Sequence, residues 1–173
     1  QGLTARKLFV GRGLDTSQVA EKVARLADAD HPDAIFVDQT GVGAGVYDQL
    51  RRTGHPVIGI AFSQSPDAEG FVNRRAEMWW RMREWLETGP VLERDADLRA
   101  DLIGPEYFTN GKGRIQLESK DDMRKRGLAS PDLGDALALT FAMPVTASGM
   151  GRPVMNAFSQ KRYDPFRMLK KGR

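Results

Sequence analysis

The sequence predicts an α/β fold, a mixed sheet flanked by helices with an inserted β-hairpin. Three patterns carry this expectation. Ala34-Ile35-Phe36-Val37 and Val57-Ile58-Gly59-Ile60-Ala61 are continuous apolar runs, as strands buried on both faces require. Helix-period segments precede and separate them, giving β-α-β-α-β and favouring a right-handed parallel sheet. Tyr107-Phe108-Thr109, the turn Asn110-Gly111-Lys112-Gly113 and Arg114-Ile115-Gln116-Leu117 read as the hairpin.

Taken in order, Lys7-Leu8-Phe9-Val10 is a short strand candidate ending at Gly11. Thr16 is expected to cap a helix whose apolar residues, Val19, Val23, Leu26 and Ala27, recur about once per turn, until His31-Pro32 ends it. The first buried strand stops at Asp38. A glycine-rich turn leads to a short helix through Val46 and Leu50 to Arg52, and Gly54-His55-Pro56 breaks it before the second strand. Residues 62–71 read as a loop. Asn73 to Leu86 reads as a long amphipathic helix whose Trp79, Trp80 and Trp85, at helical spacing, belong to the core rather than to base stacking. After the hairpin, Lys120 to Arg126 forms a charged helix. Ser130 and Pro131 then suit the N-cap and first position of a final apolar helix.

At 173 residues, 40% hydrophobic and 28% charged, the chain has the length and composition of one soluble globular domain. It has no cysteine, which excludes disulfides and thiolate metal sites and fits a reducing compartment. No apolar run approaches the ~18 residues of a membrane span. The net charge of +3 conceals an asymmetry. After Pro144 stand seven basic residues, Arg152, Lys161, Arg162, Arg167, Lys170, Lys171 and Arg173, against Asp164 alone. A mildly acidic body (1–144) with a basic C-terminal tail (145–173) points to a polyanion partner or to a solvated terminus.

The chemistry concentrates in three carboxylates. Asp132 and Asp135 are three residues apart at the head of an otherwise apolar helix, so both project from one side of its first turns. Carboxylates near a core need a positive partner or a metal. Asp38 ends a buried strand, where ligands and catalytic groups of open α/β sheets gather; it equally suits a turn or helix cap. Gly41, Gly43 and Gly45 follow it, but Val46 stands where a dinucleotide fingerprint needs glycine, and no Gly-Lys-Ser/Thr is present. These glycines suit tight turning and close approach of chain. Clustered carboxylates raise one another's pKa unless a cation neutralises them, and a hard divalent ion, Mg²⁺ or Mn²⁺, is the simple resolution. Such sites suit phosphodiester cleavage, with two ions about 4 Å apart around the attacking water and leaving oxygen. Lys120, Arg124, Lys125 and Arg126 are either a solvated face or a grip on a phosphate backbone. His31 and His55 both precede proline at element ends and read as structural.

Phe36-Val37-Asp38-Gln39-Thr40-Gly41-Val42-Gly43, Arg114 to Asp122 and Ser130 to Ala138 resemble, in that order, the C-terminal nuclease domain of tailed-bacteriophage terminase large subunits. The resemblance runs from about residue 8 to 144. The aspartate helix is also similar to the end of the bacterial Holliday-junction resolvase, another ribonuclease H-like protein. The family implies a ribonuclease H-like sheet, a two-metal endonuclease for concatemeric double-stranded DNA and Mg²⁺ or Mn²⁺ as cofactor. It further implies an ATPase motor domain in the same polypeptide, portal and small terminase subunits as partners, and work in the host cytoplasm at the procapsid. By position Asp38 and Asp135 would be catalytic metal ligands and Asp132 a helper, with the hairpin beside the site. The family's first catalytic aspartate, on an opening strand, has no match here, and Gln39 stands where relatives often have Glu. The alternatives are a junction resolvase and a catalytically incomplete module that binds DNA or a portal.

Overall fold

The computed structural model describes residues 2–146. In chain order its elements are β1 (Thr4–Ala5), α1 (Thr16–Asp30), β2 (Ile35–Asp38), α2 (Gly43–Arg52), β3 (Val57–Ile60), α3 (Arg74–Leu86), β4 (Val91–Leu92), α4 (Ala96–Ile103), β5 (Tyr107–Thr109), β6 (Ile115–Leu117), α5 (Lys120–Lys125) and α6 (Asp132–Leu139). The basic tail expected over 145–173 lies almost wholly outside the described residues.

The centre is the parallel pair β2–β3, in register from Ile35 opposite Val57 to Asp38 opposite Ile60. Side chains alternate across a strand, so each strand serves two faces. Ile35, Val37 and Val57 pack on Ala20 of α1 and on Val46 and Leu50 of α2. Phe36, Ile58 and Ile60 face Met78, Trp79 and Met82 of α3 and Ala138 and Leu139 of α6. Helices on both faces are what the uninterrupted apolar runs demand. Met78, Met82 and Leu50 are essentially buried, each contributing about 1.5–3 kcal/mol of transfer free energy. Trp79 is buried in this core and half-buried Trp85 packs at its rim, tilted against Phe141, while half-buried Trp80 packs on the neighbouring cluster of Phe71, Ala76 and Ile115 and meets Tyr107 edge-on.

Several local expectations shift. Lys7–Val10 is not a strand: the chain pairs earlier, at β1, which runs parallel to β4 with Thr4 opposite Val91. Lys7 instead meets Asp95, the N-cap of α4, and Leu8, Phe9 and Val10 remain 52%, 41% and 55% exposed. Among the described residues no strand pairs with the outer edge of β2. Beside that edge lies a largely apolar cavity of about 600 Å³, lined by Leu26, Ala27, Ile35, Trp85, Leu133 and Leu137 among others. Helix α1 is capped by Asp15 rather than Thr16, in a reciprocal box with Gln18. His31 ends it in the left-handed region, and His55 bonds Thr53 and Asp28, so both histidines have structural roles. Helix α4 and the two-residue β4 are additional elements.

The hairpin β5–β6 is antiparallel, with Thr109 opposite Ile115. Its base is fastened by Arg126, whose guanidinium donates to both Glu118 carboxylate oxygens (2.8 Å each), to Glu106 (2.6 Å) and to the Gly104 carbonyl (2.7 Å).

A second polar knot holds α3. Glu77 is fully buried. Its carboxylate accepts the Asp67 and Ala68 backbone N–H groups (2.8 and 3.2 Å) and the guanidiniums of Arg74 and Arg81 (3.3 and 2.5 Å). The same two arginines donate to the Ala142 carbonyl, at 2.8 and 3.1 Å. Glu77 thus joins loop 62–73 to α3, and its two arginine partners tie both to the turn after α6. Replacing Glu77 by Ala strips buried Arg74 of its buried counter-charge and is expected to cost about 3 kcal/mol, measured as a lowered urea midpoint at unchanged m-value.

Candidate active site

Asp135 sits in the first turn of α6 where that helix meets α3, and it is 5% exposed. A buried carboxylate must be neutralised and hydrogen-bonded. Its Oδ1 accepts Arg75 Nε and the Trp79 indole N–H, both at 2.8 Å. Its Oδ2 lies 2.9 Å from the Lys120 ammonium. Lys120 also lies 3.4 Å from Asp132 Oδ1, so one ammonium sits between the two helix carboxylates. Asp132 is exposed and accepts Ser130 Oγ at 2.7 Å. Arg75 Nη1 donates to the Glu118 carbonyl at 3.0 Å, joining α3 to the segment that carries Lys120. Gly134 makes this packing feasible: a Cβ there would lie 2.7 Å from the Trp79 ring.

Ser130 does not cap α6. Asp101 of α4 does so from across the interface, its Oδ2 accepting Leu133 N–H (2.8 Å) and Gly134 N–H (3.2 Å). Burial lifts the Asp101 carboxyl above its ordinary 3.8, the two N–H bonds oppose this, and the charges of Asp132 and Asp135 add to it. Asp101 is therefore a third acid at the helix head that local sequence patterns miss.

Asp38 lies at the carboxyl end of β2. Its Oδ1 accepts the Thr40 N–H at 2.9 Å, closing a turn in which Gly41 takes φ +64. Gly43 is required by close approach, since a Cβ there would lie 1.8 Å from the Asp38 carbonyl oxygen. Strand alternation puts Asp38 on the Phe36 face, the face covered by α3 and α6. No hydrogen bond or ion pair joins Asp38 to Asp132 or Asp135. Among the described residues no three acidic or imidazole side chains converge closely enough to hold a metal.

The four basic residues of the α5 region divide. Lys120 belongs to the aspartate pair. Arg126 is committed to the hairpin base. Arg124 and Lys125 make exposed pairs with Asp121 and Asp122 one turn away, and such pairs are worth little in water.

A family model described as the Terminase RNaseH-like domain matches residues 3–137. No curated protein matches the chain. Among solved structures, the nuclease domain of the large terminase subunit gp2 of bacterial virus Sf6 is similar at 23% identity and TM-score 0.66, over 83% of this chain and 80% of that one. A K428A mutant of the same domain with manganese aligns equally, at 23% identity and TM-score 0.66 over the same shares. The large terminase nuclease from thermophilic phage G20c with bound magnesium is similar at 17% identity and TM-score 0.57, over 76% of this chain and 64% of that one. At these identities the likeness to the solved structures shows a shared fold, and the family model describes that fold as RNaseH-like.

Two outcomes are expected at this site. Asp101→Ala removes the α6 cap at a cost of about 1 kcal/mol, read as a lower thermal midpoint. Hydrogen bonds from Arg126 hold Glu118 below its ordinary 4.5. A depressed folded value stabilises above the unfolded value and is lost as pH falls through the folded one. Thermal midpoints measured down from pH 4.5 should therefore fall more steeply for the parent chain than for Arg126→Ala.

Proposed function

The chain belongs to the terminase RNaseH-like domain family, and we propose that it is the metal-dependent DNA endonuclease part of a viral DNA-packaging terminase large subunit. The observation that carries this reading is the face shared by its acids. Asp38 ends β2 on the side covered by α6, and Asp132 and Asp135 head that helix. Carboxylates at a strand's carboxyl end and at a facing helix head are suited to binding a phosphodiester through hard cations.

The donor chemistry fits Mg²⁺ or Mn²⁺. All three groups are carboxylates, and Asp135 Oδ2 is buried with no hydrogen bond of good geometry, facing the Lys120 ammonium. Asp38 and Asp135 would hold the ion with Asp132 assisting. Bound there, such ions supply an activated water and stabilise the leaving oxygen, leaving a 3′-hydroxyl on the cut strand. The chain's own side chains prepare the site. Arg75 and Trp79 hold Asp135 in one rotamer. Lys120 neutralises the carboxylate pair and, as a half-exposed flexible ammonium, can exchange it for a phosphate oxygen. Arg124 and Lys125 can trade their surface pairs for the backbone of double-stranded DNA at little cost.

The same reading assigns residues 1–144 to the nuclease domain and the basic residues beyond to a tail. The open edge of β2 above an apolar cavity is where a further strand of the sheet, carrying the family's first acid, would pair. On this reading an ATPase motor belongs to the same polypeptide, and portal and small terminase subunits are its partners in the host cytoplasm.

One observation favours a second reading. Asp135 is already neutralised by Arg75 and Lys120, and no three acids converge among the described residues. A module that binds DNA without cutting it has those properties.

Nicking of supercoiled plasmid in Mg²⁺ or Mn²⁺, by this chain and by the natural polypeptide that carries it, separates the two. The nuclease reading expects metal-dependent nicking that Asp38→Ala and Asp135→Ala each lower at least a hundredfold, about 2.7 kcal/mol of transition-state stabilisation. Undiminished cutting by Asp135→Ala removes the role given to it. Preference for four-way junctions over linear duplex would indicate a resolvase instead. Arg124→Ala with Lys125→Ala should weaken duplex binding and reduce the log–log salt slope by about 1 to 2.

A further inference from the structure

Asp135 is held by two donors that converge on a single oxygen. Arg75 Nε and Trp79 Nε1 each donate to Oδ1 at 2.8 Å, and both come from the same face of α3. They also support one another, since the Arg75 guanidinium lies 5.7 Å from the centre of the Trp79 ring. Arg75 is anchored again through Nη1 to the Glu118 carbonyl, two residues before Lys120. The carboxylate, the guanidinium and the indole are all largely removed from solvent. With Oδ1 consumed in this way, the carboxylate has only Oδ2 to present, and Oδ2 meets Lys120.

We infer that Arg75 and Trp79 are positioning residues for the candidate metal ligand Asp135, clamping Oδ1 so that the carboxylate offers a bound cation one oxygen, Oδ2, in a fixed direction. The metal half of this inference rests on the nuclease reading above; the clamp itself rests on geometry alone. Two N–H donors to Oδ1 oppose rotation of the carboxylate about its Cβ–Cγ bond. They also oppose two-oxygen chelation of one ion. The anchor at Glu118 ties the rotamer to the segment bearing Lys120, so the ammonium and Oδ2 are held in register. A purely structural role for Arg75, neutralising a buried charge, would make no demand on which oxygen is left free. Trp79 would then serve as an apolar ring and not as a donor.

The test uses the whole chain, ¹⁵N-labelled, with Mg²⁺ alone as the probe. Trp79→Phe assigns the Trp79 indole resonance, leaving those of Trp80 and Trp85 as internal controls for the fold. The clamp expects Asp135→Asn to move the Trp79 indole resonance while the other two stay in place. It also expects Mg²⁺ to perturb the Trp79 resonance first as the ion takes up Oδ2. Loss of a ligand-orienting partner typically weakens metal binding by about 10- to 100-fold. Arg75→Ala and Trp79→Phe should therefore each raise the calorimetric Mg²⁺ dissociation constant about tenfold or more, and Arg75→Lys, which restores one donor, should recover part of it. Should Arg75→Ala fail to fold, Arg75→Lys and Trp79→Phe carry the comparison. An indole resonance indifferent to Asp135→Asn overturns the clamp. Parent-like Mg²⁺ affinity in Trp79→Phe and in the Arg75 variants overturns its role toward the metal. If the parent chain binds no Mg²⁺, the metal reading and this role fall together, while the indole comparison still supports or removes the clamp.

Discussion

A carboxylate placed inside an apolar interface dictates what surrounds it. Asp135 stands where α6 meets α3, among residues that otherwise exclude water. Its oxygens are met by a guanidinium and an indole N–H from α3 and by the ammonium of Lys120 at the start of α5. Each of those donors must be brought to one point, which fixes the rotation of α3, the depth of α6 and the position of the 118–120 segment. The Asp101 cap acts on the same helix head, so the first turn of α6 is held from α3, α4 and α5 at once. Removing one partner of such a set leaves a charge uncompensated, and for that reason the arrangement has little tolerance.

The parallel pair β2–β3 carries the other half of the site. Its alternation sends Val37 to one helical layer and Phe36 to the other, and the next residue of the Phe36 register is Asp38. A one-residue change of register would move that acid to the α1–α2 face, away from α6. The close approach of Gly43 to the Asp38 carbonyl fixes the start of α2 immediately beyond the strand end. Placement of Asp38 is therefore a consequence of core packing rather than of any contact its own carboxylate makes.

The sequence made the central layer legible because its signals are local. Apolar runs, glycine breaks and the Asn-Gly turn each act within a few residues, and β2, α2, β3, α3, β5, β6 and α5 stand where those patterns put them. What the patterns could not reveal depends on distant chain. Leu8, Phe9 and Val10 look like a strand, but a strand needs an edge to pair with, and the chain meets Val91 and Leu92 earlier, at Thr4 and Ala5. Helix α4 has no buried residues, so it lacks the apolar stripe by which a helix is read; the one local hint was Asp95, a good cap. Asp101 and Arg75 reach α6 across 32 and 60 residues, which no local spacing encodes. The paired charges at the head of α3, Arg74-Arg75 ahead of Glu77 on an otherwise core-facing helix, were the available sign that buried cations were at hand.

The grip of Arg74 and Arg81 on the carbonyls of Phe141 and Ala142 has a mechanical consequence. A helix end frays easily, but here the turn just beyond α6 closes its last carbonyls through the Thr140, Phe141 and Ala142 N–H groups, and the carbonyls of that turn are taken in their place by guanidiniums rooted in α3 and braced by Glu77. Tension applied to the polypeptide beyond Ala142 is passed to α3 and into the core instead of unwinding α6 from its C-terminal end. The helix that bears Asp132 and Asp135 is thereby shielded from load, and the geometry at its head need not yield when the following chain is pulled.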